Sequence, residues 1–181
     1  MLSWTRTMLA GMAGLALLGS DQGTIAQPSP SPVQSAIPRA IAITEAEVRA
    51  ILEQIIAASR KQDGEEMSKF LAPNATIDIT VQTVAGSRKL SLTRQQYIAY
   101  LKQGRTMIEQ HQANYSDIKI RVNPDGKTAV ATYTVQESSR LKSQAIAIAS
   151  VSNETVTFQR VQGQLQATAL RAIARVEINQ N

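Results

Sequence analysis

The run ATIDITVQ, residues 75–82, constrains what this chain can fold into more than any other stretch. Ala75, Ile77, Ile79 and Val81 alternate with Thr76, Asp78, Thr80 and Gln82, and a period of two places the first set on one face of a strand and the second on the other. The apolar face is the one to bury, so Asp78 is predicted to point to solvent. A slip of one residue would bury Asp78 but expose Ile77 and Ile79, at about 1.5–3 kcal/mol for each. Upstream, the spacing is helical. In ITEAEV (43–48), Thr44 and Glu47 form a capping box and Ile43 and Val48 occupy the staple positions. Val48, Ile51, Leu52, Ile55, Ile56 and Ala58 then recur on one helical face. Asp63 with Glu66 starts a second, short helix carrying Met67, Phe70 and Leu71, which Pro73 closes.

Beyond a turn at Gly86, LTRQQY (92–97) repeats the cap signal with Thr93 and Gln96, and Leu92 and Tyr97 form the staple. This third helix carries Tyr97, Ile98, Tyr100 and Leu101 towards Gly104, running on unevenly to about Gln110. A strand meander follows. DIKIRV alternates, NPDG (123–126) supplies a type I turn, and AVATYTV is the hairpin partner. QAIAIASV and ETVTFQRV read as one long strand with a bulge at Ser152 and Asn153. A turn at Gln162 and Gly163 leads to the last strand, QLQATALRAIARVEI. The expected order is helix, helix, strand, helix, then four strands. That is an α+β domain with three helices on one face of a curved antiparallel sheet.

The N-terminus reads as an export signal. Residues 1–7 carry Arg6 and no acid, MLAGMAGLALL (8–18) is apolar, and GSDQGTIA ends on the small residue Ala26. Eleven apolar residues are too few for a membrane-spanning helix, which needs about 20, so no stable membrane insertion follows cleavage. The reading is a signal peptide over 1–26, a Pro/Ser-rich linker over 27–43 and a domain over 44–181, periplasmic or secreted in a bacterium by a Sec-type route. The chain has no Cys and a single His, which removes disulfides, thiol nucleophiles and His-rich metal sites. A net charge of +5 without a dense basic run interleaved with aromatics argues against nucleic acid as a partner. No Gly-rich phosphate loop and no metal-ligand spacing is present, and no cofactor is expected.

The pattern resembles the nuclear transport factor two-like superfamily, the cone-shaped α+β fold that includes ketosteroid isomerases, scytalone dehydratases and SnoaL-like cyclases. The resemblance spans about residues 44–178 and rests on DGEEMSKFLAPNATIDI and RVQGQLQATAL, which are like the family's second helix with its turn into the first strand, and its final hairpin. It implies a cone-shaped barrel and homodimerisation through the sheet. It also locates the isomerases' catalytic positions. Their base falls on Ile79, their first-helix Tyr on Ile55, and their second acid near Thr155, beside Glu154. With two of three positions apolar, steroid-isomerase chemistry is not expected and no catalytic residue is assigned.

The expected function is an exported, non-catalytic binding or interaction module whose apolar cone is filled by side chains or holds a hydrophobic small molecule. The pocket candidates are Leu52, Ile55, Phe70, Ile77, Ile79, Tyr97, Tyr133 and Glu154. The alternative is a small SnoaL-like lyase, isomerase or cyclase with a non-standard Tyr, His and Glu site. In either case His111 is expected in a solvent-exposed loop after the third helix. Tyr97 and Tyr100, three apart, divide between interior and rim, and Tyr133, sharing a face with Ala131 and Val135, suits a pocket wall or a sheet-mediated dimer. Arg171, Arg175, Arg160, Arg140 and Lys142 read as a solvated, locally paired sheet face rather than an anion-binding patch.

Overall fold

The computed structural model describes residues 41–142 and 146–180; the leader and all but the last three residues of the linker lie outside them. The described chain runs α1 (Glu45–Arg60), α2 (Gly64–Ser68), β1 (Leu71–Thr83), β2 (Gly86–Thr93), α3 (Arg94–Met107), β3 (Ile108–Val122), β4 (Thr128–Leu141), β5 (Ile146–Val161) and β6 (Gln164–Gln180). All three cap signals are realised. Thr44 and Thr93 form complete capping boxes on α1 and α3, and the Asp63 carboxylate accepts from the Glu66 N–H at 3.0 Å. The staple partners Ile43 and Val48 are both buried.

The sheet has six strands in the order β2-β1-β6-β5-β4-β3. Neighbours pair antiparallel except β1 and β6, which are parallel. The sheet is therefore mixed rather than antiparallel, and it keeps two edges, so it is a cone wall and not a closed barrel. Helices cover one face: α1 packs mainly on β3 and β4, and α3 on β1 and β2. The central strands β5 and β6 lie between the two.

Four expectations need correction. Residues 86–93 form an edge strand; Arg88 shares the inward parity of Leu90 and Leu92 there while Lys89 is exposed, and charge on an edge weakens the strand signal while blunting the edge itself. Leu71 opens β1 rather than ending a helix. Pro73 lies inside that strand, within the register shift between Leu71 and Thr76, where an irregularity absorbs its missing N–H. β3 begins at Ile108, so His111 belongs to a strand, half-buried, and not to an exposed loop. Finally, no bulge occurs at Ser152 and Asn153. Pairing runs straight through them on both sides, and the shift lies at Thr157 and Phe158.

The core collects at one end of the wedge between helices and sheet. Phe158, Ala129, Ala131, Val48, Leu52 and Ile77 are essentially inaccessible. The chain enters at this same end. The Ile43 N–H donates to the Gly126 carbonyl at 2.8 Å, and Gly126 adopts φ +66° so close to Ala42 that an added Cβ would stand 2.8 Å from the Ala42 Cβ. Arg160 completes the closure, donating to the Ile41 carbonyl (2.9 Å), the Ala42 carbonyl (3.4 Å) and Glu47 (2.7 Å). It is thus a clasp on the entering segment rather than part of a basic sheet face. Arg171, Arg175, Arg140 and Lys142 are exposed.

Asp78 lies on the outer face, where its carboxylate accepts from the Ser91 hydroxyl at 2.7 Å, while Ile77 is wholly buried. In urea unfolding, Ile77→Ala is expected to cost about 2–5 kcal/mol and Asp78→Ala less than about 1 kcal/mol; comparable losses would contradict this strand parity. Glu47 supplies a second check. Its hydrogen bond from Arg160, aided by the Thr44 N–H, holds its carboxyl below the usual carboxylate range. A carboxyl lowered in the folded state stabilises above its unfolded value, and that contribution is lost as pH falls through the folded one. Arg160→Ala should therefore be destabilised near neutrality and should lose less stability than the parent on acidification below about pH 4.5, measured as urea midpoints against pH.

Candidate functional site

Because α1 and α3 sit over opposite flanks, the inner face of β5 and β6 is covered most thinly, and its side chains decide what space is left. On β6 the inward positions run Leu170, Ala172, Ala174, Val176 and Ile178. Two are alanines, and exposure climbs from 6% at Ala172 to 60% at Ile178. On β5 they run Phe158, Val156, Glu154, Ser152, Ser150 and Ile148, buried at Phe158 and half-buried at Ser150 and Ile148. Burial is thus complete at Phe158 and falls away towards Ile178.

Midway along this slope stands Glu154. The unbroken register pairs it with Tyr133 on β4 and Ala172 on β6, and it shares the inward parity of Ser152 and Val156. The Ser152 hydroxyl donates to its Oε1 at 3.1 Å, and the Tyr133 hydroxyl sits against the same carboxyl group. Burial pushes the Glu154 carboxyl up, the Tyr133 and Ser152 contacts draw it part of the way back, and the charge of Glu137 adds to the rise. Thr155, the neighbour that resemblance pointed to, faces out. The acid reaches the interior because it keeps the parity of the buried Val156 and Phe158.

The phenols of Tyr133, Tyr115 and Tyr97 stand near enough to feel the charge of this carboxyl. The Tyr115 and Tyr133 rings lie 5.8 Å apart with planes tilted by 49°, and the Tyr115 hydroxyl donates to Ser59 of α1 at 2.6 Å. The Arg60 guanidinium lies over the Tyr115 ring, 5.7 Å from its centroid. Tyr97 and Tyr100 pack on the core from α3, and among the described residues nothing accepts a hydrogen bond from either hydroxyl. Both phenols were expected to divide between core and rim; both are half-buried instead. Burial raises all four phenols, Tyr115 to about 12 and the other three by direction alone. They are neutral donors near pH 7, not phenolate bases.

A second polar group lies nearer the exposed end of this slope. His111 and Ser139 face each other across β3 and β4, with Nδ1 and Oγ 3.1 Å apart. His111 Nε2 is 3.9 Å from Glu137 Oε1, and the Ser150 hydroxyl donates to Glu137 Oε2 at 3.4 Å. The sequence reading missed Glu137, Ser139 and Ser152. The signal was present in the alternation of AVATYTVQESS, where Glu137 and Ser139 follow Tyr133 and Val135 at a period of two. Of the expected pocket residues, Glu154, Tyr133 and Tyr97 come together here. Ile79 is half-buried on the same inner face, opposite Ala172. Leu52 and Ile77 are sealed in the core at the tip; Ile55 packs on that core, and half-buried Phe70 sits at the α2 to β1 turn.

Comparison with solved structures places this architecture. A putative scytalone dehydratase from Novosphingobium aromaticivorans superimposes with a TM-score of 0.57 at 13% identity, covering 75% of this chain and 86% of the other. An NTF2-like protein of unknown function from Pseudomonas putida gives 0.56 at 19% identity, with coverage of 71% and 84%. The chain has the nuclear transport factor two-like fold. A hexachlorocyclohexane dehydrochlorinase from Novosphingobium barchaimii shares it, with a TM-score of 0.54 at 11% identity over 74% and 85% of the two chains. No family model and no curated protein sequence matches the chain. At these identities the likeness is one of nuclear transport factor two-like architecture, which hosts enzymes and proteins of unknown function alike.

The placement of Glu154 has a measurable signature. A carboxyl raised in the folded state costs stability as pH rises from its unfolded value through its folded one, because the native state holds the extra proton. Glu154→Gln keeps the shape and removes that penalty. Its stability relative to the parent should rise as pH climbs above the ordinary carboxyl range, followed by urea midpoints; a difference that is flat or falls with pH would place Glu154 in water.

Proposed function

We propose that this chain binds a small, largely apolar molecule in the hollow over β5 and β6, holding it by one polar group set against Glu154 and the surrounding tyrosines. The observation that carries this reading is the inward Glu154 facing the phenols of Tyr133, Tyr115 and Tyr97. Isolated polar groups on an apolar, sloping floor are what a pocket uses to orient a ligand. Export through a leader at residues 1–26 and pairing through the outer sheet face are part of the same proposal; Val151 and Ile173 stand about half exposed on that face.

A second reading is favoured by the same carboxyl. Burial raises the Glu154 carboxyl, and in its protonated form it and Tyr133 would donate hydrogen bonds to a developing oxyanion, as a lyase, isomerase or cyclase requires.

Native mass spectrometry of the protein isolated from its own host separates these possibilities. A stoichiometric small-molecule adduct is expected, retained by Asp78→Asn and weakened by Tyr133→Phe. A compound returned chemically altered by the parent but unaltered by Glu154→Gln would favour catalysis. A chain that carries nothing, and takes up nothing from host extract, would overturn the binding reading. The same spectrum reports the leader as a mass deficit and the dimer as mass doubling.

A further inference from the structure

Resting on the reading of the hollow as a ligand site, we infer that its ligand is an organic cation: an apolar amine whose ammonium group lies among the tyrosine rings, between Glu154 and Glu137. The chain as a whole is basic, with 19 Lys and Arg against 14 Asp and Glu. The hollow reverses that sign. From Glu154 to the mouth, the ionisable inward side chains of β3 to β6 are two carboxyls, His111 and tyrosines, with no Lys or Arg among the described residues.

The cations of the covering helix α3 are occupied elsewhere. Arg94 donates to the Ser68 carbonyl at 2.9 Å, Lys102 to Glu65 at 2.6 Å, and Arg105 to the Gln62 carbonyl at 3.4 Å. All three turn towards α2 and the turn before it, leaving Tyr97 and Tyr100 as what α3 contributes inward. One cation does reach this aromatic wall. Arg60, at the exposed end of α1, lies over Tyr115 within the range where a ring quadrupole attracts a positive charge.

Aromatic faces backed by carboxyls, with the inward Arg88 of the sheet set apart on edge strand β2, two strands from Ala174, suit a positively charged group on an apolar body better than a neutral or anionic one. A carbonyl ligand would use the phenol donors but leave the second carboxyl, Glu137, without a role. A carboxylate ligand would set its charge beside Glu137 and gain nothing from the rings. An ammonium group engages every feature at once, its N–H groups donating to the carboxyls and phenol oxygens and its charge facing the rings.

The test is a titration of the purified full-length chain near neutral pH, by calorimetry and ligand-observed NMR. Each of two aromatic bodies, phenyl and naphthyl, is offered as its methylamine, its methanol and its carboxylate. The amine is expected to bind about tenfold or more tighter than the alcohol, with the carboxylate weakest. Added salt should weaken the amine and leave the alcohol unchanged. Combining Glu154→Gln with Glu137→Gln should remove the preference for the amine without weakening the alcohol. If that pair does not fold, Glu137→Gln alone, at the half-exposed mouth, should cost the amine about threefold. An alcohol that binds as tightly as the amine, or a preference that survives neutralisation, overturns the cation while leaving the hollow a ligand site. If none of the probes binds, the site itself fails and the inference with it.

Discussion

An uninterrupted ladder through the middle of the sheet is the constraint on which the rest depends. Between Tyr133 and Ala174, β4, β5 and β6 pair residue for residue without a slip, and alternation then leaves no freedom about which side chains face the helices. One inserted residue at Asn153 would reverse the facing of the strand on one side of it, so that Glu154 and Ser152 would no longer both face the helices. The fold would survive such a change and the interior chemistry would not. A buried carboxyl held by one hydroxyl and one phenol is tolerable because those partners are themselves fixed by the ladder.

Much of the architecture was legible in the residues. Three capping signals gave three helix starts, since a cap box is local and needs only four residues to declare itself. The β1 alternation gave the correct inner face and placed Asp78 outside. What failed was long-range. Parallel pairing of β1 with β6 leaves no mark in either segment, so the sheet read as antiparallel. β2 was lost because an edge strand carries charge where a central one carries Val or Ile. Pro73 read as a stop because its tolerance inside a strand depends on a register shift that only the partner strand reveals.

The site was legible in pieces. Tyr97, Tyr133 and Glu154 can be picked out as polar residues on otherwise apolar elements, yet nothing local shows that they meet. His111 was assigned to a loop because its neighbours Glu109, Gln110, Gln112 and Asn114 are polar. They form the outer face and rim of β3, whose inner face is His111, Ala113 and Tyr115. Leu52 and Ile77 were named as pocket wall because they are the most apolar inward residues. That apolarity is why they seal the tip instead.

The two alanines on the floor, Ala172 and Ala174, have a consequence for how such a protein can change over time. They lie beyond the packed end, where Phe158 and its neighbours supply cohesion. A longer side chain at Ala174 would raise the floor and shorten whatever fits above it, with little disturbance to the sealed tip. The height of this floor and the integrity of the scaffold are set in separate places, so descendants of this chain can retune one without endangering the other.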